Sequence, residues 1–201
     1  MQNKINGNLM SSKFRYLNEQ LYKTSSSEAV SLFKESELFK DYHEGYRQQV
    51  EKWPKNPLDL IISQLQKGKH ISHNIGDFGC GEGKLELKLK ESGHKGKLYS
   101  FDVGKCADHV IQTDIANVPL PDNSLDVVVF SLSLMGTNFP DFLVEANRVL
   151  KEDGLVIIAE VLSRFEDVNT FMKHMRDETG FKPLSVQKLK EFFYLMVFKK
   201  V

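Results

Sequence analysis

A glycine-rich run at residues 75–83 constrains this chain more than any other segment. It reads IGDFGCGEG, and helix-forming residues follow from Lys84 onward. This order predicts a strand, a tight turn and a helix. Gly79 and Gly81 omit Cβ atoms where the backbone must turn sharply and approach a ligand closely. Because the helix then presents unpaired N–H groups and a partial positive charge, we expect a nucleotide-like ligand at this turn.

The spacing of the glycines distinguishes a dinucleotide site from a site for a nucleotide-like ligand that carries an ammonium group. A dinucleotide fingerprint, G-x-G-x-x-G, would need glycine at position 84, where the chain has Lys84. Asp77 stands two residues before Gly79, and a carboxylate there suits a ligand with an ammonium group better than it suits a pyrophosphate. The alternative is structural, because Asp77 could cap the next helix while Gly81 merely makes a turn.

Two further aspartates follow short strand-like runs. Asp102 comes 23 residues after Gly79, and an acid about 20 residues beyond such a loop can accept hydrogen bonds from ribose hydroxyls. Asp114 ends the next run, with the apolar Ile115 behind it. Each aspartate alone is typical of a turn or a strand end. Three acids at three successive strand ends favour one shared site.

Strands and helices alternate from residue 71 onward. The nearly continuous apolar run 125–134 predicts a central parallel strand covered on both faces, with Ser131 near its end. The last two runs, 181–189 and 192–201, are joined by a short turn and predict an antiparallel pair. We therefore predict an α/β sheet of about seven strands, mostly parallel, with an antiparallel C-terminal hairpin strand and helices on both faces.

The chain divides into three parts by composition. Residues 1–12 are polar, and we expect them to be disordered. Residues 13–201 predict a single domain, in which 13–69 form a helical cap and 70–201 form the α/β core.

Helix starts are marked by four local signals. Ser25 and Glu28 form a capping box, and Asn56 precedes a proline at a first helical turn. Asn138 marks another helix start, with Pro140 just inside the helix, and residues 163–166 predict a second capping box.

Composition narrows the class of protein. Hydrophobic residues make up 41% and charged residues 27%, which is ordinary for a soluble globular protein. Lys and Arg number 27, as do Asp and Glu, so no global positive field attracts nucleic acid. The two cysteines, Cys80 and Cys106, suit a reducing compartment. No apolar run reaches membrane-spanning length, so we expect a soluble intracellular protein without a membrane segment. We also expect no metal site.

The loop D-x-G-x-G-x-G at residues 77–83 resembles motif I of the class I S-adenosylmethionine-dependent methyltransferases. Segments 14–22 and 130–138 are similar to segments of the nucleomethylin family, the ribosomal RNA-processing methyltransferases, and 145–150 and 163–168 also fit. The resemblance implies a Rossmann-like fold and S-adenosylmethionine as cofactor. It also implies an enzyme of the nucleus and nucleolus that methylates N1 of an adenosine in large-subunit ribosomal RNA. A further role in silencing ribosomal DNA, with chromatin or other nucleolar proteins as partners, would accompany that activity.

The family's cofactor contacts carry over by position. They fall on His43, Gly79, Asp102, Asp114, Ile115 and Ser131, and the motif I loop adds Asp77 and Gly81. Judged from the residues alone, a histidine in a helix such as His43 is more often solvated or at the edge of the core than in contact with a ligand. Family members usually carry a long basic N-terminal extension that this sequence does not contain, which bears on RNA affinity and nucleolar targeting.

The acceptor side is defined partly by what the sequence omits. Methylation of an exocyclic amine typically uses an Asn/Asp-Pro-Pro-aromatic motif after the fourth strand, and residues 131–135 contain no proline. Neither cysteine stands in a motif for pyrimidine C5 methylation. Adenine N1 has a lone pair and needs neither device, so we assign no general base. The acceptor-side candidates are Met135, Gly136, Thr137, Asn138, Glu160 and Arg164. Glu160 is expected to face the methylated ring and Arg164 to grip a phosphate or base, whereas the structural alternatives are a helix cap at Asn138 and an ion pair at Arg164.

Two other functions remain open at this point. One is a methyltransferase for a small molecule or a protein, which the neutral charge would suit. The other is a scaffold that binds the cofactor without catalysis and recruits chromatin partners.

Overall fold

The computed structural model describes residues 2–34, 36–189 and 192–201. Four helices precede the sheet: α1 (Gln2–Lys23), α2 (Ser26–Leu32), α3 (Ser36–Val50) and α4 (Pro57–Leu65). The core then runs β1 (Ile75–Phe78), α5 (Lys84–Glu91), β2 (Leu98–Asp102), β3 (Val110–Gln112), β4 (Leu125–Ser131), α6 (Phe139–Val149), β5 (Leu150–Val161), α7 (Val168–Asp177), β6 (Phe181–Leu189) and β7 (Phe193–Lys200). Short 3₁₀ turns lie at Gly68–Ser72 and Leu162–Arg164.

The seven strands form one sheet in the order β3-β2-β1-β4-β5-β7-β6. Strands β1 to β5 are parallel, and β7 runs antiparallel to both β5 and β6. The strand order reverses between β1 and β4, where the connections leave toward opposite edges of the sheet. Sheets of this kind bind ligands beside the carboxyl ends of the strands at such a reversal. The predicted fold class, including the antiparallel C-terminal hairpin strand, is confirmed.

Strand β4 shows why the sheet is buried on both faces. Val127 and Val129 pack into one cluster with α4 and α5, while Val128 and Phe130 pack into another with α6 and α7. All four side chains are fully buried. A strand alternates its side chains between faces, so a continuous apolar run is the pattern that two covered faces require.

Helices α1, α2 and α3 form a third apolar cluster. It contains Leu17, Leu21, Ala29, Phe33, Phe39 and Tyr42, with Met135 of the loop after β4 packed against it. Inside α3, Gly45 lies against the ring and Cβ of Phe14 from α1, so that the two helices approach closely. The cap that the sequence predicted is therefore packed around its own core and onto the α/β unit.

Two local predictions need correction. Residues 1–12 were expected to be disordered, but α1 begins at Gln2. A helix is costly to start and cheap to extend, so the packed turns around Leu17 and Leu21 support a polar extension that contains no proline. The second capping box, at 163–166, was also wrong. Asp167 is the N-cap of α7, and its side chain accepts hydrogen bonds from the N–H groups of Asn169 and Thr170.

The other two caps in the N-terminal part are confirmed. Ser25 and Glu28 form the capping box of α2, and Asn56 caps α4 through its side chain. None of the helices in the described ranges is long and apolar enough to cross a membrane.

Replacing Gly45 by alanine tests the contact between α1 and α3. Alanine favours a helix by about 1 kcal/mol over glycine, but its Cβ would overlap Phe14. Overpacking costs about 1–3 kcal/mol, so we expect Gly45→Ala to lower the free energy of unfolding in urea by about 1 kcal/mol. Lys40→Ala, an exposed change on the same helix, should leave it unchanged. A more stable Gly45→Ala protein would contradict the close packing.

Candidate functional site

A cavity opens at the carboxyl ends of β1, β2 and β4, beneath the helical cap. Its empty volume is about 1040 Å³, including the open mouth. The predicted residues that line it are His43, Asp77, Gly79, Gly81, Asp102, Ile115 and Ser131. Cap residues complete the wall, among them Ser26, Phe39, Tyr42 and Tyr46. Pockets of this size that combine apolar walls with a few polar groups are typical of small-molecule and cofactor sites.

The glycine loop forms the floor of the cavity. The N–H groups of Gly79 and Cys80 donate to the carbonyl of Phe101, at 2.8 and 3.0 Å, which ties the turn after β1 to the end of β2. Gly79 and Gly81 have φ values of 78° and 58°, in the region that disfavours side chains. A Cβ on Gly79 would also overlap Ser133, and one on Gly81 would lie 2.7 Å from Cε1 of His43. Both the backbone conformation and the space therefore require glycine.

Asp102 ends β2 and holds the same loop. Its Oδ2 accepts a hydrogen bond of 2.7 Å from the N–H of Gly81. Burial raises the pKa of Asp102 to about 6, although hydrogen bonds from the backbone of Gly81, Val103 and Gly104 oppose the shift. The carboxylate is thus oriented by the protein and has further acceptor capacity.

Asp77 is buried, and among the described residues its Oδ1 has no hydrogen-bond partner. Burial, with a smaller contribution from the charges of Asp102 and Glu86, raises the pKa of this carboxyl to about 8. Among the described residues the alternative role as a helix cap is not observed, because the N-cap of α5 is Gly83, which has no side chain. A buried carboxyl with a free oxygen at a cavity wall suits a ligand that brings positive charge or donors.

His43 reaches the cavity from α3 and packs against Gly81. Its Nε2 is buried and has no hydrogen-bond partner within the described part of the chain. Burial lowers the pKa of His43 to about 4, partly offset by Glu82. The imidazole is therefore neutral at neutral pH and can offer either a donor or an acceptor, depending on its tautomer.

The third strand supplies Ile115 and Asp114, which differ in their surroundings. Ile115 is buried and lines the cavity. Asp114 does not belong to the lining. Its Oδ1 accepts from the N–H of Ala116 at 2.9 Å, and its Oδ2 accepts from Oγ of Ser26 at 2.8 Å. A carboxylate has about four acceptor positions, so Asp114 retains capacity beside Ser26.

Strand β4 ends in a strained turn. Ser131 lines the cavity, and Leu132 follows with a φ of 59°, which is unusual for leucine. Two hydrogen bonds fix this turn: the N–H of Leu132 donates to Ala159 at 2.8 Å, and Oγ of Ser133 donates to the carbonyl of Phe78 at 2.5 Å. Strain of this kind concentrates at functional sites.

Two acceptor-side candidates, Glu160 and Arg164, support the loop after β4. Glu160 was expected to face a substrate ring, but it is buried, and its Oε1 accepts a hydrogen bond of 2.8 Å from the N–H of Leu134. Burial raises the pKa of Glu160 to about 7. Arg164 was expected to grip a phosphate or pair with a neighbouring acid. It donates instead to the carbonyl of Leu134 at 2.6 Å, and its guanidinium lies over the rings of Tyr22 and Phe139.

Asn138 is also committed within the protein. Its Oδ1 accepts from the N–H of Ser26 and its Nδ2 donates to Oγ of Ser26, each at 2.9 Å. It stands at the N-cap position of α6 but caps no helical N–H group with its side chain. Of the other three loop candidates, Met135 and Gly136 line the cavity. Thr137 does not; it is exposed, and its N–H donates to the carbonyl of Thr24 at 3.0 Å.

Comparison with known proteins identifies the family. A family described as "Hypothetical methyltransferase" matches residues 1–201. The ribosomal RNA-processing protein 8 of Dictyostelium discoideum is 45% identical over the whole chain, which covers 50% of that protein. The 25S rRNA (adenine(645)-N(1))-methyltransferase of Schizosaccharomyces pombe is 43% identical over the whole chain, which covers 66% of that protein. The chain belongs to this methyltransferase family.

The solved structures show the same fold at low identity. A 1,6-didemethyltoxoflavin-N1-methyltransferase of Burkholderia thailandensis, solved with S-adenosylhomocysteine, superposes with a TM-score of 0.65 at 13% identity. The match covers 85% of this chain and 88% of that one. The first curated relatives are longer, and this methyltransferase chain spans about half of their length.

Several residues that line the cavity were not predicted from the sequence. Phe39, Tyr42 and Tyr46 reach the cavity from one face of α3, and their spacing of three and four residues is a signal for that shared face. Ser26 lies within the predicted capping box at residues 25–28, and the sequence assigned it no role in the site. Nothing local to Ser26 indicates that it meets Asp114, 88 residues further along the chain.

We expect Asp77→Asn to stabilise the fold while impairing the site. The pKa of Asp77 lies near 8 in the folded protein and near 4 in an unfolded chain. The wild type therefore loses stability as pH rises through this window, because the folded state resists ionisation. An amide cannot ionise, so the substitution removes that pH-dependent loss.

Urea unfolding from pH 4 to pH 9 would measure the effect. The advantage of Asp77→Asn should be small at pH 4, grow by up to about 1.4 kcal/mol for each pH unit towards pH 8 and then level off. Asp59→Asn, on exposed surface of α4, is the matched control. A difference that is constant across this range would show that Asp77 ionises freely.

Proposed function

We propose that this methyltransferase uses S-adenosylmethionine to methylate N1 of an adenosine in large-subunit ribosomal RNA. The observation that carries the proposal is the free buried oxygen of Asp77 beside the glycine floor of the cavity. The adenosine and the RNA rest on the printed activity of the Schizosaccharomyces pombe relative, which acts on 25S rRNA at adenine N1.

The residues at the cavity fit the cofactor. Asp77 would neutralise its ammonium group, and the neutral His43 would offer a hydrogen bond to its carboxylate. Asp102 retains acceptor capacity for a ribose hydroxyl, and Ile115 offers an apolar surface to the purine. Asp114, steadied by Ser26, would receive the adenine amino group. Gly79 and Gly81 keep this space clear of side-chain atoms.

When bound, the cofactor would supply an electrophilic methyl group on a sulfonium. The chain's own task is then to align an acceptor nitrogen and to exclude water. Adenine N1 carries its lone pair in the plane of the ring, so no base has to remove a proton before transfer. Phe39, Tyr42, Tyr46 and Met135 give the cavity an apolar wall on the cap side, which suits a flat base taken out of its stack.

The loop after β4 would position the acceptor indirectly. Glu160 fixes the N–H of Leu134, while Arg164 fixes the carbonyl of the same residue. Met135 and Gly136, which follow directly, line the cavity. Glu160 and Arg164 are thus positioning residues, and their opposite charges lie near each other at this wall. A ring that becomes cationic on N1 methylation would be favoured by an ionised Glu160.

We also propose a location in the nucleus and nucleolus, where chromatin or other nucleolar proteins would be partners. This follows from the family resemblance and from relatives named for ribosomal RNA processing.

A methyl-transfer assay would test the proposal. The full chain is incubated with the tritium-labelled methyl donor and, separately, with total ribosomal RNA, purified histones or a metabolite extract. We expect label in RNA, mapping to one adenosine at N1. Label found only in histones or only in metabolites would show that the methyl acceptor is a protein or a small molecule and that RNA is not the substrate. Measurable cofactor binding without any transfer would favour a non-catalytic scaffold.

Asp102→Ala should weaken cofactor binding. The change removes one or two charge-assisted hydrogen bonds, each worth about 1.5–3 kcal/mol, and also releases the N–H of Gly81. Calorimetry with S-adenosylhomocysteine should therefore show a dissociation constant at least about tenfold higher. Asp108→Ala, on an exposed carboxylate, serves as the control. An unchanged affinity in Asp102→Ala would remove this residue from the site.

A further inference from the structure

The segment between α3 and α4 joins two helices that both contribute to the cavity wall. Tyr46 near the end of α3 and Leu58 at the start of α4 both line the cavity, so residues 51–56 connect two positions on its wall. Lys52, Trp53 and Lys55 belong to this segment. It offers an outer surface that the proposed cofactor site does not use.

Trp53 is the only tryptophan in the chain, and it is partly exposed. Its ring lies edge-on to Tyr46, with centroids 6.0 Å apart, and to Phe193 at 5.0 Å. Phe192, whose ring is 6.2 Å from that of Phe193, is 47% exposed. A row of aromatic rings thus leads from the cavity wall to the protein surface. Exposed aromatic rings stack on nucleic-acid bases without sequence preference.

Two lysines flank Trp53 in the sequence. Lys52 and Lys55 are both exposed, and neither forms an ion pair with any described residue. The formal net charge of the chain is zero, so attraction of a phosphate backbone has to come from local groups such as these. Surfaces that bind single-stranded nucleic acid combine exposed lysines with aromatic rings in this way.

We propose that Lys52, Trp53, Lys55 and Phe192 form a contact surface for the single-stranded RNA that flanks the target adenosine. The proposal rests on the function proposed above and deepens it by placing the strand on one side of the cavity. The lysines would neutralise phosphates while the rings stack with neighbouring bases. The methylated base itself would enter past Tyr46.

The lone tryptophan makes the first measurement direct. A single-stranded oligoadenylate is titrated into the full chain saturated with S-adenosylhomocysteine, and tryptophan emission is followed. Stacking on Trp53 should quench the emission, and the apparent affinity should fall as salt rises. RNA binding seen by filter retention without any change in emission would overturn the proposal.

Matched double variants test the lysines. Lys52→Ala with Lys55→Ala should reduce the slope of log affinity against log salt by about 1.4, about 0.7 for each phosphate contact on a single strand. Lys95→Ala with Lys97→Ala makes the same charge change on exposed residues at the amino end of β2, opposite the cavity, and should leave the slope unchanged. Equal slopes in the two double variants would also overturn the proposal.

Transfer assays on total ribosomal RNA separate this surface from the proposed activity. In the double variant Lys52→Ala with Lys55→Ala, we expect KM for RNA to rise several-fold. We expect kcat and the affinity for S-adenosylhomocysteine to stay unchanged. If the wild type labels RNA and the variant has the wild-type KM, the surface is wrong and the proposed function stands. If the wild type labels no RNA, the proposed function fails, and this surface fails with it.

Discussion

The carbonyl of Phe101 organises the functional end of this molecule. It receives the N–H groups of Gly79 and Cys80, so the turn after β1 is tied to the end of β2 rather than left as a free loop. The next residue, Asp102, takes the N–H of Gly81. Three consecutive amides therefore find acceptors on one neighbouring strand end. The cavity floor depends on this arrangement, because the loop would otherwise lack partners for buried N–H groups.

The same arrangement concentrates carboxyl groups where ionisation is unfavourable. Asp77, Asp102 and Glu160 are buried near the carboxyl ends of β1, β2 and β5, and burial raises the pKa of each. Asp102 and Glu160 are compensated by backbone N–H donors, whereas Oδ1 of Asp77 has no donor among the described residues. A fold selected for stability alone would not keep such a group. Its persistence is explained if a ligand completes it, since a donor or cation supplied at that oxygen removes the cost.

The sequence predicted the parts of this structure that depend on local pattern. The alternation of strands and helices, the two-faced burial of β4 and the reversed last strand all follow from periodicity and short connections, and they are confirmed. The glycine loop was predicted from residue type, because only glycine accepts both the positive φ at Gly81 and the neighbouring imidazole. The cofactor roles of the lining residues stay a prediction.

What the sequence could not provide is pairing across long separations. The Ser26 hydroxyl meets Asp114, and the Asn138 amide meets Ser26 over 112 residues. Glu160 near the end of β5 and Arg164 just beyond it were read as acceptor contacts, yet their partners are backbone atoms of the loop after β4. A backbone partner cannot be recognised from residue types in the sequence. A polar residue can therefore suggest contact with a ligand although its hydrogen-bond partner lies within the protein. Polar residues near strand ends are therefore ambiguous until the loop geometry is known.

The N-terminal helices complete the site as well as shelter it. Ser26 of α2 bridges Asp114 after β3 and Asn138 after β4, and the N–H of Thr137 donates to the carbonyl of Thr24. These bonds join the cap to both loops that border the proposed adenine and acceptor positions. An opening of α2 would therefore disturb Asp114 and the loop after β4 together. Cofactor affinity and acceptor alignment are then expected to depend on the same few contacts, because one short helix end holds both.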